Sequence, residues 1–161
     1  MADVQTAVTA SIVVDAPIER AFAVFTEDIG SWWPQEHHML QGQESHMVLE
    51  SKMGGRIYEL GADGSDCKWS HVMVWEPPHR VVFTWELSPQ WTLETEIAKA
   101  SEVEVRFTAE DAGRTRVDID HHHLDRHGEG WEGLRDAIGS PGGWPLELSA
   151  FAQQVQAKTV A

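Results

Sequence analysis

Apolar and polar residues alternate through the middle of the chain in the way that is typical of β-strands. The segment GGRIYELGADGSDCKWSHVMVWEPPHRVVFTWEL, residues 54–87, contains two sets of turn residues, GADG and EPPH. Glycine and aspartate tolerate tight turns, and proline cannot donate a hydrogen bond to a neighbouring strand. These turns predict three strands, at residues 56–60, 68–75 and 80–87. Because a helix would have to cross Pro77 and Pro78, we predict a β-meander here.

The same period of two recurs on both sides of the meander. It predicts strands at residues 8–14, 46–51, 102–110 and 115–124. In the last of these strands Val117, Ile119, His121 and His123 share the inner face. Residues 91–98 are ambiguous between an extended strand and an edge segment.

Helical periodicity appears near both ends of the chain. Ile18, Ala21, Phe22 and Phe25 form one apolar stripe, which predicts a helix over residues 17–25. A second, short helical turn is predicted at residues 28–33, where Pro34 stops it.

The C-terminal part, residues 130–157, also carries the helical pattern, interrupted by GSPGG at 139–143. The interruption either separates two helices or precedes one long helix over about residues 143–158. Residues 35–43 are polar and irregular, and are a candidate mobile loop.

Composition narrows the classes of function. With 161 residues the chain suits one domain, residues 1–161, with its own core. Its net charge of −14, from 12 basic and 26 acidic residues, and its lack of a basic cluster argue against binding nucleic acid or anionic membranes. No apolar run approaches the ~20 residues of a membrane span, and no signal peptide is evident. Cys67 is the one cysteine, which fits a reducing cytoplasm.

Several motifs together resemble the START-like (SRPBCC, helix-grip) superfamily, in the branch named for the heat-shock protein 90 ATPase activator homologues. They are VVDAPIERAF, IGSWWP, MGGRIYE, WEPPHRVVFTWEL, SEVEVRFTAED, GRTRVDIDHHHL and GWPLELSAFAQQV, in that order. The resemblance implies an α+β helix-grip fold of the START/Bet v type. In that fold a curved antiparallel sheet of about six to seven strands surrounds a long C-terminal helix, and two short helices follow the first strand.

The resemblance also implies a deep pocket between sheet and C-terminal helix, usually for an apolar small molecule. Members of the superfamily bind lipids, hormones or polyketides, act as cyclases, or serve chaperones. We expect a stand-alone domain without the separate N-terminal domain of the eukaryotic co-chaperone, so a chaperone is the least favoured partner. A monomer and a homodimer both remain open.

The expected ligand-binding residues are mostly aromatic, because eight tryptophans imply a large aromatic core or a lined pocket. Trp69, His71, Met73 and Trp75 share one parity of their strand, yet the other parity is also apolar. The pattern therefore does not decide which face is inside. His121 or His123 would supply an orienting hydrogen bond. The full set of candidates is Trp33, Tyr58, Trp69, His71, Met73, Trp75, Phe83, Trp85, His121, His123 and Trp144.

The sequence offers no strong catalytic motif, since GxSxG and a glycine-rich phosphate loop are both absent. Acid–base chemistry would need two titratable groups that converge. Glu59, Glu86, His71 and His121 are the candidates.

The run of histidines at 121–123 invites a metal hypothesis. His121 and His123 could reach one ion, with a third ligand from His38, His71 or Glu59, but no ligand-spacing motif supports it. We therefore expect no metal and no cofactor. The favoured function is binding of an apolar or aromatic small molecule. The alternatives are a cyclase- or hydrolase-like enzyme that uses the same cavity, and a chaperone-interaction module.

Overall fold

The central element of the fold is a curled antiparallel sheet, seen in a computed structural model that describes residues 5–40 and 42–159. Within those residues the sheet has seven strands in the order β1-β7-β6-β5-β4-β3-β2. The strands are β1 (Val8–Val14), β2 (Ser45–Leu49), β3 (Arg56–Gly61), β4 (Asp66–Glu76), β5 (Arg80–Trp85), β6 (Ser101–Asp111) and β7 (Arg114–His122).

The helices cover the concave side of this sheet. They are α1 (Ile18–Thr26), α2 (Ile29–Trp32), α3 (Trp131–Ile138) and α4 (Trp144–Thr159), with 3-10 turns at Gln35–His37, Ile97–Lys99 and Leu124–His127. The long helix α4 packs against α1, α2 and β1. The Phe151 ring on α4 lies 5.3 Å from Phe25 and 5.6 Å from Trp32. The helix-grip fold predicted from the sequence is confirmed.

Strands β6 and β7 behave as their alternation predicts. Val103 and Val105 on β6 and Val117 and Ile119 on β7 are all buried against the helices. Each such side chain stabilises the fold by about 1.5–3 kcal/mol relative to an exposed position. The polar residues between them take the outer face of the sheet.

Strand β4 does not keep one parity, because two β-bulges interrupt its register. Trp69 lies between the pairs Ile57–Ser70 and Tyr58–Lys68, and Met73 lies between Val72–Phe83 and Val74–Val82. Each bulge inserts one unpaired residue and reverses the faces of the residues after it. The prediction that Trp69, His71, Met73 and Trp75 share one face is therefore wrong: Trp69 is 1% exposed, whereas Met73 is 47% exposed.

His123 also departs from the predicted pattern. Strand β7 ends at His122, and His123 adopts a left-handed backbone with φ of 62° at the start of the turn Leu124–His127. Its side chain is consequently exposed, while His121 is fully buried. The expected shared inner face of these two histidines does not form.

The two ambiguous segments are resolved by the structure. The glycine-rich interruption separates two helices, α3 and α4. Residues 91–98 form no strand; they contain one isolated bridge, between Leu87 and Leu93, and enter the turn Ile97–Lys99. In the expected mobile loop, Gln41 lies outside the described residues.

Among residues 5–40 and 42–159, no helix has both the length and the apolar character that a membrane-spanning helix needs.

Candidate functional site

A cavity of about 570 Å³ lies between the curled sheet and the helices. Its walls come from the segment after α2, the inner faces of β2, β4 and β5, and the connection between α3 and α4. Pockets of roughly 300–1,000 Å³ accommodate drug-sized organic molecules. The cavity is therefore large enough for a ligand of several fused rings.

Five tryptophans line this cavity. Four of them contact one another in a closed ring, and the fifth, Trp91, is 44% exposed. The ring centroids of Trp33 and Trp69 are 5.4 Å apart, and those of Trp69 and Trp85 are also 5.4 Å apart. Trp85 lies 6.0 Å from Trp144, which lies 6.4 Å from Trp33. We call these four residues the tryptophan ring. Aromatic walls of this kind give large contact area at low entropic cost.

The four indole N–H groups are not used equally. Trp69 Nε1 donates to the Met47 sulfur at 3.2 Å, and Trp144 Nε1 donates to His121 Nδ1 at 3.1 Å. The buried Nε1 atoms of Trp33 and Trp85 have no hydrogen-bond partner within the described ranges 5–40 and 42–159. A buried donor without a partner is costly. Both side chains line the cavity, and their Nε1 atoms are its buried, unused hydrogen-bond donors among these four tryptophans.

A carboxyl group and an imidazole also meet at this cavity. His37 Nδ1 forms a short hydrogen bond with Glu147 Oε1, and both residues line the cavity wall. The Glu147 hydrogen bond raises the pKa of His37. Burial raises the pKa of Glu147, against the opposing effect of His37. The second oxygen of Glu147, Oε2, is buried and accepts no hydrogen bond from the part of the chain that the structure describes.

This pair is suited to proton transfer. A base works best when its pKa lies near the working pH, and burial moves the carboxyl of Glu147 in that direction. The buried Oε2 atom is the unused acceptor of this pair.

Trp144 is the first member of a chain of buried, hydrogen-bonded groups that continues through His121 and Ser101 to His127. Burial lowers the pKa of His121 well below its ordinary value, so its imidazole is neutral. Because Nδ1 of this imidazole accepts a hydrogen bond from Trp144, its proton is on Nε2. Nε2 donates to Ser101 Oγ at 2.8 Å, and Ser101 donates to His127 Nε2 at 2.7 Å. This chain fixes the orientation of Trp144.

The carboxylate of Glu59 holds the segment that carries His37. Glu59 is fully buried in β3. It accepts hydrogen bonds from the backbone N–H groups of Met39 at 2.6 Å and Leu40 at 2.7 Å, and from Ser45 Oγ at 2.8 Å. Carboxylates that accept several N–H bonds anchor a loop strongly.

The sequence candidates divide into two groups. Trp33, Trp69, Trp85 and Trp144 line the cavity. The other seven candidates do not line the cavity.

Three of these seven are on or near the outer surface: Tyr58 is half-buried on the face of β3 opposite Ile57, and Met73 and His123 are exposed. His71 is hydrogen-bonded to Glu86. The remaining three pack against other aromatic side chains: Trp75 contacts Phe22, Phe83 contacts Trp69, and His121 is buried behind Trp144.

The acid–base candidates converge differently from the expectation. His71 and Glu86 do meet, at 2.6 Å, but neither lines the cavity. His121 and His123 do not converge on one ion, because His123 leaves the strand. Burial also raises the pKa of Cys67 to about 11, so its thiol is a poor nucleophile.

His37 and Glu147 were not singled out by the sequence. A signal for Glu147 did exist, because it occupies the apolar stripe of α4, three residues after Trp144 and four before Phe151. A carboxylate on a buried stripe is rarely there without a partner or a role. His37 lay in an irregular polar segment and had no comparable signal.

A curled sheet around a C-terminal helix, with a cavity between them, defines the helix-grip class of ligand-binding and cyclase domains. The chain belongs to the family of activator of Hsp90 ATPase homolog 1-like proteins, whose profile matches residues 15–156. No curated protein matches the chain.

Solved structures of the same class are similar over almost the whole chain. Txn09, an anthrahydroquino-γ-pyrone synthase, is 37% identical, with 91% of this chain and 95% of that chain covered and a TM-score of 0.63. CalC, a self-sacrificing resistance protein from Micromonospora echinospora, is 26% identical, with 96% of each chain covered and a TM-score of 0.68. Protein NE0264 from Nitrosomonas europaea shares the fold, at 13% identity, 99% and 100% coverage and a TM-score of 0.67.

Proposed function

We propose that the protein binds a planar, oxygen-bearing aromatic molecule in the tryptophan-lined cavity. The observation that carries this proposal is the tryptophan ring, whose members Trp33 and Trp85 have unused N–H groups and line the same cavity as Glu147. The similarity to Txn09, named as an anthrahydroquino-γ-pyrone synthase, supports the same class of ligand.

The two kinds of contact have different tasks. Indole faces and edges select a flat ring system and fix its plane. The N–H groups of Trp33 and Trp85 require acceptor atoms, so carbonyl or phenolic oxygens on the ligand would satisfy both donors. A purely hydrocarbon ligand of the same shape would leave them unpaired in the complex.

The binding experiment uses tryptophan quenching and calorimetry with two matched probes. 1,8-Dihydroxyanthraquinone has the ring system and the oxygens, whereas anthracene has the rings alone. Trp33→Phe and Trp85→Phe keep an aromatic ring and remove the N–H. We expect each variant to weaken binding of the quinone about 5- to 10-fold and to leave anthracene within twofold, since a buried hydrogen bond contributes about 1 kcal/mol.

Trp131→Phe is the control, because Trp131 packs beside Arg135, outside the cavity. It should bind both probes as the unsubstituted protein does. Equal affinity for quinone and anthracene, or no binding of either, would contradict the proposal.

A second function is favoured by the contact between His37 and Glu147. We propose that this pair promotes ring closure of the bound ligand by proton transfer. Glu147 Oε2 takes the proton of a phenolic hydroxyl on the ligand. As it does so, the phenolic oxygen forms a C–O bond to a carbonyl carbon of the same ligand. The N–H groups of Trp33 and Trp85 stabilise the negative charge on the former carbonyl oxygen. Glu147 then returns the proton to that oxygen, and loss of water completes the pyrone.

The test of catalysis uses 1-(2-hydroxyphenyl)butane-1,3-dione, which closes to a γ-pyrone with release of water. The protein should accelerate the absorbance change of closure over buffer, and Glu147→Gln should lower kcat about 100-fold or more. KM should change by only a few-fold, because the aromatic contacts remain. A rate equal to that of buffer, or an unchanged rate in Glu147→Gln, would refute catalysis and leave the binding proposal standing.

A further inference from the structure

A second group of chemically reactive side chains lies on the outer face of the sheet, away from the cavity. It consists of Glu102, His122 and His123, which we call the outer histidine group. Glu102 on β6 and His122 on β7 are direct cross-strand partners. Directly opposite residues place their Cβ atoms about 4.5–5.5 Å apart, so their side chains are neighbours whatever the rotamer.

The left-handed backbone of His123 brings the third member to the same place. Had β7 continued, His123 would have pointed to the inner face beside His121. Instead its φ of 62° turns the ring toward His122, with ring centroids 4.7 Å apart at an interplanar angle of 84°. One ligand atom from each of the three side chains lies within 4.8 Å of the other two. Small side-chain rotations therefore bring all three to a common point.

The surroundings orient this group. Arg126 Nη1 donates to Glu102 Oε2 at 2.8 Å, which fixes the carboxylate and leaves its other oxygen for a ligand. Asp120 Oδ1 lies 3.5 Å from Nδ1 of His122 and accepts no hydrogen bond within residues 5–40 and 42–159. A carboxylate beside the second nitrogen of a histidine is the usual outer partner of a metal-bound imidazole.

We propose that Glu102, His122 and His123 bind a divalent transition-metal ion of the Zn²⁺ type. Two imidazole nitrogens and one carboxylate oxygen form a common ligand set for Zn²⁺, with bond lengths of about 2.0–2.2 Å and a fourth position left to water. His122 binds through Nε2 and donates its Nδ1–H to Asp120. The ion joins the first residues of β6 to the end of β7, so it stabilises the fold there.

Isothermal titration with ZnCl₂ tests the site, on protein from which any polyhistidine tag has been removed. We expect one ion per chain, a raised melting temperature, and at least tenfold weaker binding in the double variant His122→Ala/His123→Ala. Glu102→Gln should also weaken binding. Asp120→Asn should weaken it about tenfold, as loss of an outer carboxylate does.

His46→Ala/His79→Ala is the matched control, because both of these histidines are exposed and lie outside the group. It should bind Zn²⁺ as the unsubstituted protein does. With Co²⁺ in place of Zn²⁺, visible absorption should appear in the control and be lost in His122→Ala/His123→Ala. Absence of binding at millimolar Zn²⁺, or equal binding by the double variant, would overturn the proposal.

Discussion

His37 is hydrogen-bonded to Glu147 although 110 positions separate them in the chain. His37 belongs to the turn Gln35–His37 and Glu147 to the first turns of α4. Their contact therefore joins two walls of the cavity. It also places a titratable pair beside the tryptophan ring, where the ligand is proposed to lie.

The His37–Glu147 pair makes stability depend on pH. Folding raises the pKa of His37 above its ordinary value of 6.5. The stability that the protonated His37 contributes is therefore fully present below pH 6.5 and is lost as pH rises through the raised pKa. Folding also raises the pKa of Glu147 above 4.5, so ionising it costs stability as pH rises from there. Both effects mean that the folded state holds more protons than the unfolded state. We therefore expect the melting temperature of the unsubstituted protein, minus that of Glu147→Gln, to decrease as pH rises from 5.5 to 8.5.

Thermal melts of the two proteins across this pH range provide the measurement. Glu44→Gln is the control, because Glu44 is exposed and lies away from the pair. Its melting temperature relative to the unsubstituted protein should stay constant with pH. If the melting temperature of the unsubstituted protein, relative to that of Glu147→Gln, increased with rising pH, the raised pKa values of the pair would be contradicted.

Trp144→Phe should destabilise the fold through His121. The substitution removes the indole N–H that donates to His121 Nδ1, and His121 is fully buried. An unsatisfied buried acceptor costs about 1–3 kcal/mol, in addition to the lost volume of the indole. Urea unfolding should therefore show a clearly lower free energy of unfolding. Trp131→Phe, at a half-buried surface position, should change it by less than about 1 kcal/mol.

Glu59→Gln should loosen the segment that carries His37. The amide replaces one acceptor oxygen with a donor, so it faces a backbone N–H of Met39 or Leu40 without a bond. Hydrogen bonds to charged groups contribute about 1.5–3 kcal/mol, and a loss of that order is expected in urea unfolding. Limited proteolysis should reveal faster cleavage within residues 35–43. Glu110→Gln, at an exposed end of β6, should match the unsubstituted protein in both assays.

Gly143→Ala and Gly133→Ala should act in opposite directions. A Cβ at Gly143 would overlap the backbone carbonyl of Ile138, which cannot move without opening the connection between α3 and α4. A Cβ at Gly133, within α3, would meet no atom within 4 Å. Gly143→Ala should cost about 3 kcal/mol, and Gly133→Ala should gain about 0.5–1 kcal/mol from helix propensity. Chemical unfolding of both variants measures these changes, and equal effects would contradict the packing described.

The fold could be predicted because its signals are local. Alternation on β6 and β7 requires only that one face of each strand be buried, and turn residues mark where each strand ends. The bulges at Trp69 and Met73 have no comparable signal, since they depend on how neighbouring strands pair. Each inserted residue reverses the faces of the side chains after it, and for this reason Trp69 lines the cavity whereas Met73, expected on the same face, is exposed.

The sequence by itself determined the helix-grip architecture and supplied the tryptophans of the cavity wall. Only the tertiary structure decided which four form the ring, that His37 meets Glu147, and that His123 turns outward to His122. The physical reason is the range of the interactions. Hydrophobic periodicity reflects near neighbours in the chain, whereas the site depends on contacts between distant segments that only the curled sheet and the helices bring together.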